Sequence, residues 1–316
     1  MKTPLFTMTW TRRTLALGLA ACAATAAWGQ PQPPSAYPAD LQPTWAEVAY
    51  APTSPRQRLD LFVPDGAGPF PLVINIHGGG FRMGSKEMLD APLAKALLAQ
   101  GVAVASVNYR LSGEATFPAA VHDVTAAVRF LRANANQYRL NPLRFVAFGQ
   151  SAGGNLASML GTTGHTQRFQ DPALGNGGVS AAVQGVIDWF GPADFLSLDD
   201  HATAQGCPAD HHLPDSPESR YLGSPLPQVA EMARQASPLY HITPQAPPFL
   251  LQKGDQDCLI PLAQSVSFHR ALRAAGVAAE LDILPGGGHG DRPGGPTRFL
   301  APSNIERIVT FVRHIP

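Results

Sequence analysis

Three polar positions in this chain have the residue types and settings that acyl-transfer chemistry needs: Ser151, an aspartate at 255 or 257, and His289. A serine hydroxyl attacks a carbonyl only when a base takes its proton, and the base needs an acid to hold its ring. Ser151 sits in Gly149-Gln150-Ser151-Ala152-Gly153, a G-x-S-x-G pentapeptide that sets a serine on a sharp strand-to-helix turn. Glycine two residues either side removes the Cβ atoms that would collide in such a turn. The apolar run Phe145 to Phe148 supplies the strand before it, and Leu156, Met159 and Leu160 fall at helical spacing after it. The hydroxyl then stands at a helix N-terminus, where developing negative charge is favoured. Alone, the pentapeptide also fits an ordinary turn.

The acid and the base decide between those readings. Lys253-Gly254-Asp255-Gln256-Asp257-Cys258 follows an apolar strand, Pro248 to Gln252, and Gly286-Gly287-Gly288-His289-Gly290 follows the next, Ala278 to Leu284. Both therefore fall just past strand ends, the edge where open α/β sheets build their sites, in the chain order Ser, Asp, His. Asp257 is the expected orienter, because it lies deeper in its loop, just before the helix-starting Pro261; Asp255 is the alternative, with turn capping as its other role. The run His77-Gly78-Gly79-Gly80 is the candidate oxyanion loop. Backbone N–H groups of Gly79 and Gly80 could join that of Ala152 around a tetrahedral oxyanion, with His77 holding the loop by a hydrogen bond. No G-x-x-x-x-G-K-[ST] accompanies these glycines, so phosphate binding is disfavoured.

The elements that must position these residues read as alternating strands and helices. Strands are expected at 46–51, 58–63, 72–76, 102–107, 145–148, 183–190, 248–252 and 278–284. Helices are expected after Ser85 (with Leu89, Leu93 and Leu97 on one face), at 118–138, after Ser151, at 261–275 and at 304–314. That alternation predicts a mostly parallel central sheet with helices on both faces. Residues 191–243 interrupt it, rich in Pro, Ser, Asp and His, and read as a small cap-like insertion over the carboxyl edge. Its His201, Asp210, His211, His212 and Asp215 show no ligand spacing, so a solvated polar loop is expected and no metal.

Lys+Arg and Asp+Glu both number 23, a formal net charge of zero, which leaves no basic surplus for nucleic acid. Residues 1–29 read as an export signal: Lys2, Arg12 and Arg13, then an apolar run from Leu15 to Ala27 too short to span a bilayer. Cleavage is expected near Gly29; Arg12-Arg13 also fits a twin-arginine signal, and Leu19-Ala20-Ala21-Cys22 a lipoprotein box. No other stretch reaches transmembrane length. Residues 30–44 carry Pro31, Pro33, Pro34, Pro38 and Pro43 and read as an extended tether before a domain at 45–316. Beyond the signal only Cys207 and Cys258 remain. In an oxidising compartment a disulfide between them is expected, with two buried thiols as the alternative.

Taken together, HGGGF, NYRL, GQSAGG, GDQDCLIP and GGGHG, in this order, resemble the α/β-hydrolase superfamily, and are most similar to its esterase and lipase branch. Trp189-Phe190-Gly191-Pro192 and the Asp-x-x-Ile-Pro loop bring the chain closer to bacterial feruloyl-esterase-like carboxylesterases. The resemblance covers roughly residues 45–315. It implies an α/β-hydrolase fold, Ser151 as nucleophile, His289 as base, Asp257 as orienter, no cofactor, and small-molecule or polymer-linked ester substrates. Lys253 departs from the pattern, since that group often has histidine before Gly-Asp; being outside the triad, it is expected to have no catalytic consequence. An amide hydrolase on the same scaffold, or a binding protein that kept the fold, are the rival readings; the intact Ser, Asp, His and glycine set argues against the second. Oligomeric state is not legible.

Overall fold

Eight strands form one sheet in the computed structural model, which describes residues 37–291 and 295–315 together with Met1. They are β1 (Trp45–Ala49), β2 (Arg58–Phe62), β3 (Phe70–Ile76), β4 (Ala103–Val107), β5 (Leu140–Gln150), β6 (Gly185–Trp189), β7 (Phe249–Gly254) and β8 (Ala279–Leu284). Their order across the sheet is β1-β2-β4-β3-β5-β6-β7-β8. β1, β2 and β4 pair antiparallel, and every pairing from β4 through β3 to β8 is parallel. The export signal expected at 1–29 and the tether to residue 36 lie, apart from Met1, outside the described residues. Among the described residues no helix is long and apolar enough to cross a membrane.

The parallel strands are apolar on both faces because both are covered. Leu72, Ile74 and Ile76 of β3 belong to a core that also takes in residues of α2 (Ala119–Ala133), α3 (Ala152–Thr163) and α7 (Leu262–Ala274). Val73, Val146 and Phe148 point the other way, into a second core with α1 (Ala91–Ala99) and α8 (Pro302–His314). The insertion between β6 and β7 carries α4 (Leu198–Gln205), α5 (Pro217–Leu222) and α6 (Ala230–Gln235).

Several boundaries differ from the sequence expectation, each for a local reason. α1 starts at Ala91, not after Ser85: Asp90 is its N-cap residue and Pro92 sits in its first turn, where a missing N–H costs nothing. α2 stops at Ala133 because Asn134 turns its side chain back onto the Phe130 carbonyl. The tether expected over 30–44 is, from residue 37, chain packed on the domain. Tyr37 is buried, its ring edge-on to Phe62 at 5.1 Å and its hydroxyl 3.0 Å from both Asp60 Oδ2 and the Lys86 carbonyl. One aromatic among prolines is enough to anchor such a segment when it fills a core site.

Cys207 and Cys258 form a disulfide, with Cα atoms 5.3 Å apart. It ties the end of α4 to the loop after β7. Beside it the Gln205 amide donates to the Asp257 carbonyl at 2.9 Å and accepts from Leu262 N–H at 2.8 Å. The bond spans 51 residues, which by chain entropy stabilises the fold by at most about 4 kcal/mol. Alkylation of the denatured, unreduced protein followed by peptide mapping should therefore leave Cys207 and Cys258 unmodified. Reduction should lower the melting temperature by several degrees.

Candidate active site

β5 ends at Gln150 and α3 begins at Ala152, so Ser151 alone makes the turn between them, at φ 55° and ψ −120°. A non-glycine residue rarely adopts such a backbone, and it holds only where the surroundings enforce it. Here Ser151 N–H is bonded to the Trp189 carbonyl at 2.8 Å. The flanking glycines are required by contact: a Cβ on Gly149 would run into the Gly153 carbonyl, and one on Gly153 into the Ile76 carbonyl at the end of β3.

His289 reaches this serine from the loop after β8. Its Nε2 lies 2.8 Å from Ser151 Oγ and its Nδ1 2.9 Å from Asp257 Oδ2. Facing a carboxylate, Nδ1 carries the proton, which leaves Nε2 to accept from the hydroxyl. The Phe190 ring packs 4.5 Å from the imidazole. Asp257, not Asp255, is the residue brought to His289. Asp255 instead accepts the Gly286 N–H at 2.7 Å and caps the turn beyond β8.

Asp257 is fully buried, and donors meet both of its oxygens. Leu259 N–H and Ile260 N–H bond Oδ1 at 2.9 and 3.0 Å. Oδ2 accepts from His289 and from the ammonium of Lys253, which also donates to the Ile260 carbonyl. Burial pushes this carboxyl up, but the His289 hydrogen bond and the Lys253 charge outweigh it and hold it at about 2. Lys253 is itself buried, and desolvation lowers its ammonium against the pull of Asp257. Lys253, expected to have no catalytic consequence, shares an oxygen with the imidazole. A lysine near the end of a strand whose residues are all buried signals this, since a buried ammonium needs a carboxylate, and Asp257 is four residues on.

Gly78, Gly79 and Gly80 run beside the serine; a Cβ on Gly78 would lie 3.4 Å from that of Ser151. Gly79 and Gly80 take φ of 113° and 58°, which turns the loop around the site. His77 stacks on Tyr109 at 4.4 Å, and its Nδ1 lies 2.7 Å from the Gly78 carbonyl. Burial lowers its pKa to about 4, so it stays neutral and holds the loop. Gly79, Gly80, Ser151, Ala152 and His289 line one cavity of about 700 Å³, to which the insertion contributes residues between Asp210 and Glu218. Behind the elbow a buried Asp188, which the sequence did not single out, accepts from Ser158 Oγ at 2.8 Å and Gly191 N–H at 2.7 Å.

The polar residues of the insertion do not converge. His201 Nδ1 meets the Gln264 amide at 3.0 Å, His212 pairs with Asp199 at 3.2 Å, and His211 with Glu218 at 3.2 Å. His211 is buried, which corrects the expected solvated loop at that position. Among the described residues the one close group of three ligating side chains is Glu47, Asp60 and Glu87, and the Lys86 ammonium already pairs with all three.

The BD-FAE family profile matches residues 59–272. The chain belongs to the BD-FAE family. With the sheet order above, its fold is the α/β-hydrolase fold. The esterase LipC of Mycobacterium tuberculosis is 31% identical over 223 residues, 70% of this chain and 53% of that one. A truncated carbohydrate esterase from gut microbiota superposes with a TM-score of 0.75 at 27% identity, covering 87% of this chain and 98% of that one. A bifunctional GH43-CE protein of Bacteroides eggerthii gives 0.76 at 30% identity, covering 85% of this chain and 35% of that one. The chain spans about half the length of the first curated relatives it matches.

Two outcomes follow from the shared oxygen of Asp257. Its carboxyl is held at about 2, below the ~3.9 of an unfolded aspartate. The stability it contributes is therefore fully present above pH ~4 and lost as pH falls toward ~2, as an acid unfolding titration will show. Lys253→Met removes a positive charge from the oxygen that supports the imidazolium. Oδ2 then keeps one donor, and the rate at which a fluorophosphonate labels Ser151 should change from that of the wild type. An unchanged rate in a folded variant would reduce Lys253 to a space-filling role.

Proposed function

We propose that this BD-FAE member is an exported serine hydrolase of carboxylic esters, acting through Ser151, His289 and Asp257 and a covalent acyl-enzyme. The observation that carries the reading is the chain of contacts from Ser151 Oγ to His289 Nε2 at 2.8 Å and from His289 Nδ1 to Asp257 at 2.9 Å, on the floor of the cavity. Ser151 Oγ attacks the ester carbonyl while His289 takes its proton. Buried Asp257 stabilises the imidazolium so formed. The carbonyl oxygen, now an anion, accepts from the N–H groups of Gly79, Gly80 and Ala152, a contribution of roughly 3–4 kcal/mol per donor in comparable sites. The imidazolium protonates the leaving alcohol, and water then attacks the acyl-enzyme with His289 again as base.

The names of the similar proteins support the ester side of the reading, since they include esterases and carbohydrate esterases. The cavity suits short or aromatic acyl groups, acetyl and feruloyl among them, on small or polymer-linked alcohols. The basic residues and Ala-rich apolar run at the start of the chain and the disulfide support export.

A panel of acetyl, butyryl, feruloyl and formyl-amide substrates tests the class; hydrolysis of the amide alone would move the reading to amidases. Ser151→Ala should keep the fold and lose several decades of ester turnover, about 10⁴-fold or more. Retention of a substantial fraction of activity would sink the nucleophile assignment. Asp257→Asn should cost far more turnover than Asp255→Asn, because only Asp257 touches the imidazole; equal effects would reassign the acid.

A further inference from the structure

We propose that Met83 and Met88 are oxidation sites through which a hydroperoxide retunes the cavity, each thioether becoming a sulfoxide that disfavours apolar groups of the substrate. The consequence for turnover rests on the ester-hydrolase reading above; the oxidation itself does not.

Met83 and Met88 are 54% and 53% exposed, and both line the cavity that holds Ser151. Of the other described methionines, Met159 is fully buried, Met232 packs against the core, and Met1 starts the chain, within the expected export signal. Met8 lies outside the described residues. Beyond Met1, the exposed thioethers among the described residues are therefore both at the site. Cys207 and Cys258 are joined, so among the described residues no free thiol competes for an oxidant. An accessible thioether is then the group on the cavity wall that a peroxide oxidises first.

Both side chains rest against the loop that carries the candidate oxyanion donors. A Cβ on Gly79 would lie 3.1 Å from Met83 Cγ, and one on Gly84, further along the loop, 3.0 Å from Met88 Sδ. Met83 N–H also bonds the Gly79 carbonyl at 3.1 Å, and Met88 N–H the Ser85 carbonyl at 3.0 Å. The backbone thus holds both thioethers on the cavity wall while both remain accessible. In the reaction a sulfur lone pair attacks the terminal oxygen of the hydroperoxide. The S–O bond forms as the O–O bond breaks, and the displaced oxygen takes the proton and leaves as water or an alcohol. Sulfur loses two electrons and the peroxide gains them. The product is a polar, chiral side chain with a strong acceptor oxygen. An apolar substrate group laid against that oxygen desolvates it without offering a donor. Leu213 and Leu259 also line the cavity and are exposed, but carry nothing a peroxide oxidises. Of these four apolar residues, oxidation changes the two that carry sulfur.

The test treats the folded protein with hydrogen peroxide and maps methionine sulfoxide by peptide mass. Met83 and Met88 should oxidise several times faster than Met159 and Met232; equal rates overturn the sites. Turnover is read before and after oxidation on methyl acetate, methyl butyrate and butyl acetate, which vary the apolar group on the acyl side and on the alcohol side. Full oxidation of the pair should lower kcat/KM for at least one of the two larger esters, relative to methyl acetate, by roughly tenfold, the cost of one polar group buried without a donor. The double variant Met83→Leu, Met88→Leu keeps the apolar wall without sulfur, and its ratios should not respond to peroxide. Ratios that stay within about twofold in the oxidised wild type, or that fall equally in the leucine variant, overturn the retuning. Ser151 should still be labelled by a fluorophosphonate after oxidation; loss of labelling together with turnover of all three esters is general damage and overturns it as well. If the wild type hydrolyses none of the esters before oxidation, the ester-hydrolase reading itself fails, and the sulfoxide map still decides the two sites.

Discussion

A carboxylate with no solvent has to have its lone pairs filled by the protein, and much of the site follows from how Asp257 meets that demand. Two backbone N–H groups of its own loop take one oxygen, which folds that loop back on itself. The other oxygen is divided between an imidazole from after β8 and an ammonium from the end of β7. The imidazole comes from 32 residues on while the other donors are local, so the acid is also a joint. Removing one donor leaves an uncompensated buried charge, which is why a site of this kind tolerates little drift in its surroundings.

The neighbouring insertion is held to the same joint. The disulfide ends on Cys258, one residue past the acid, and Gln205 bonds the carbonyl of Asp257 itself. The insertion that lines the cavity and the orientation of the imidazole are thus mechanically linked. On the far side, α5 is stacked on the glycine loop through Phe81 and Tyr221. The insertion is clamped at both ends of the cavity, and its polar lining is held in register with the serine.

The residues legible in the sequence were those whose role is set by local spacing. A glycine on either side of Ser151, an aspartate and a histidine just past strand ends, and two remaining cysteines each follow from a few neighbouring positions. The sheet and its helices were legible for the same reason: alternating apolar runs need no partner to be recognised. What escaped depends on groups far apart in the chain. Asp188 under the elbow is buried because Ser158 and Gly191 approach it. His211 looked like one of several surface histidines until α5 placed Glu218 against it. Tyr37 looked like part of a tether because its anchor, Phe62, lies two strands away in sequence. Lys253 was visible as an oddity, but its partner became clear only when the loop after β7 closed over it.

Ser151 and His289 are 138 residues apart, and the base and its orienter 32. Contacts of such separation carry a loop-closure cost that local contacts do not. A chain with its helices and most of its strands in place, but with β7 and β8 not yet docked, has an ordinary alcohol at position 151 and no imidazole beside it. The juxtaposition of hydroxyl and imidazole is thus coupled to the long-range pairings that hold β7 and β8 in the sheet. Reactivity of one hydroxyl reports completion of the whole native topology more strictly than any measure of secondary structure.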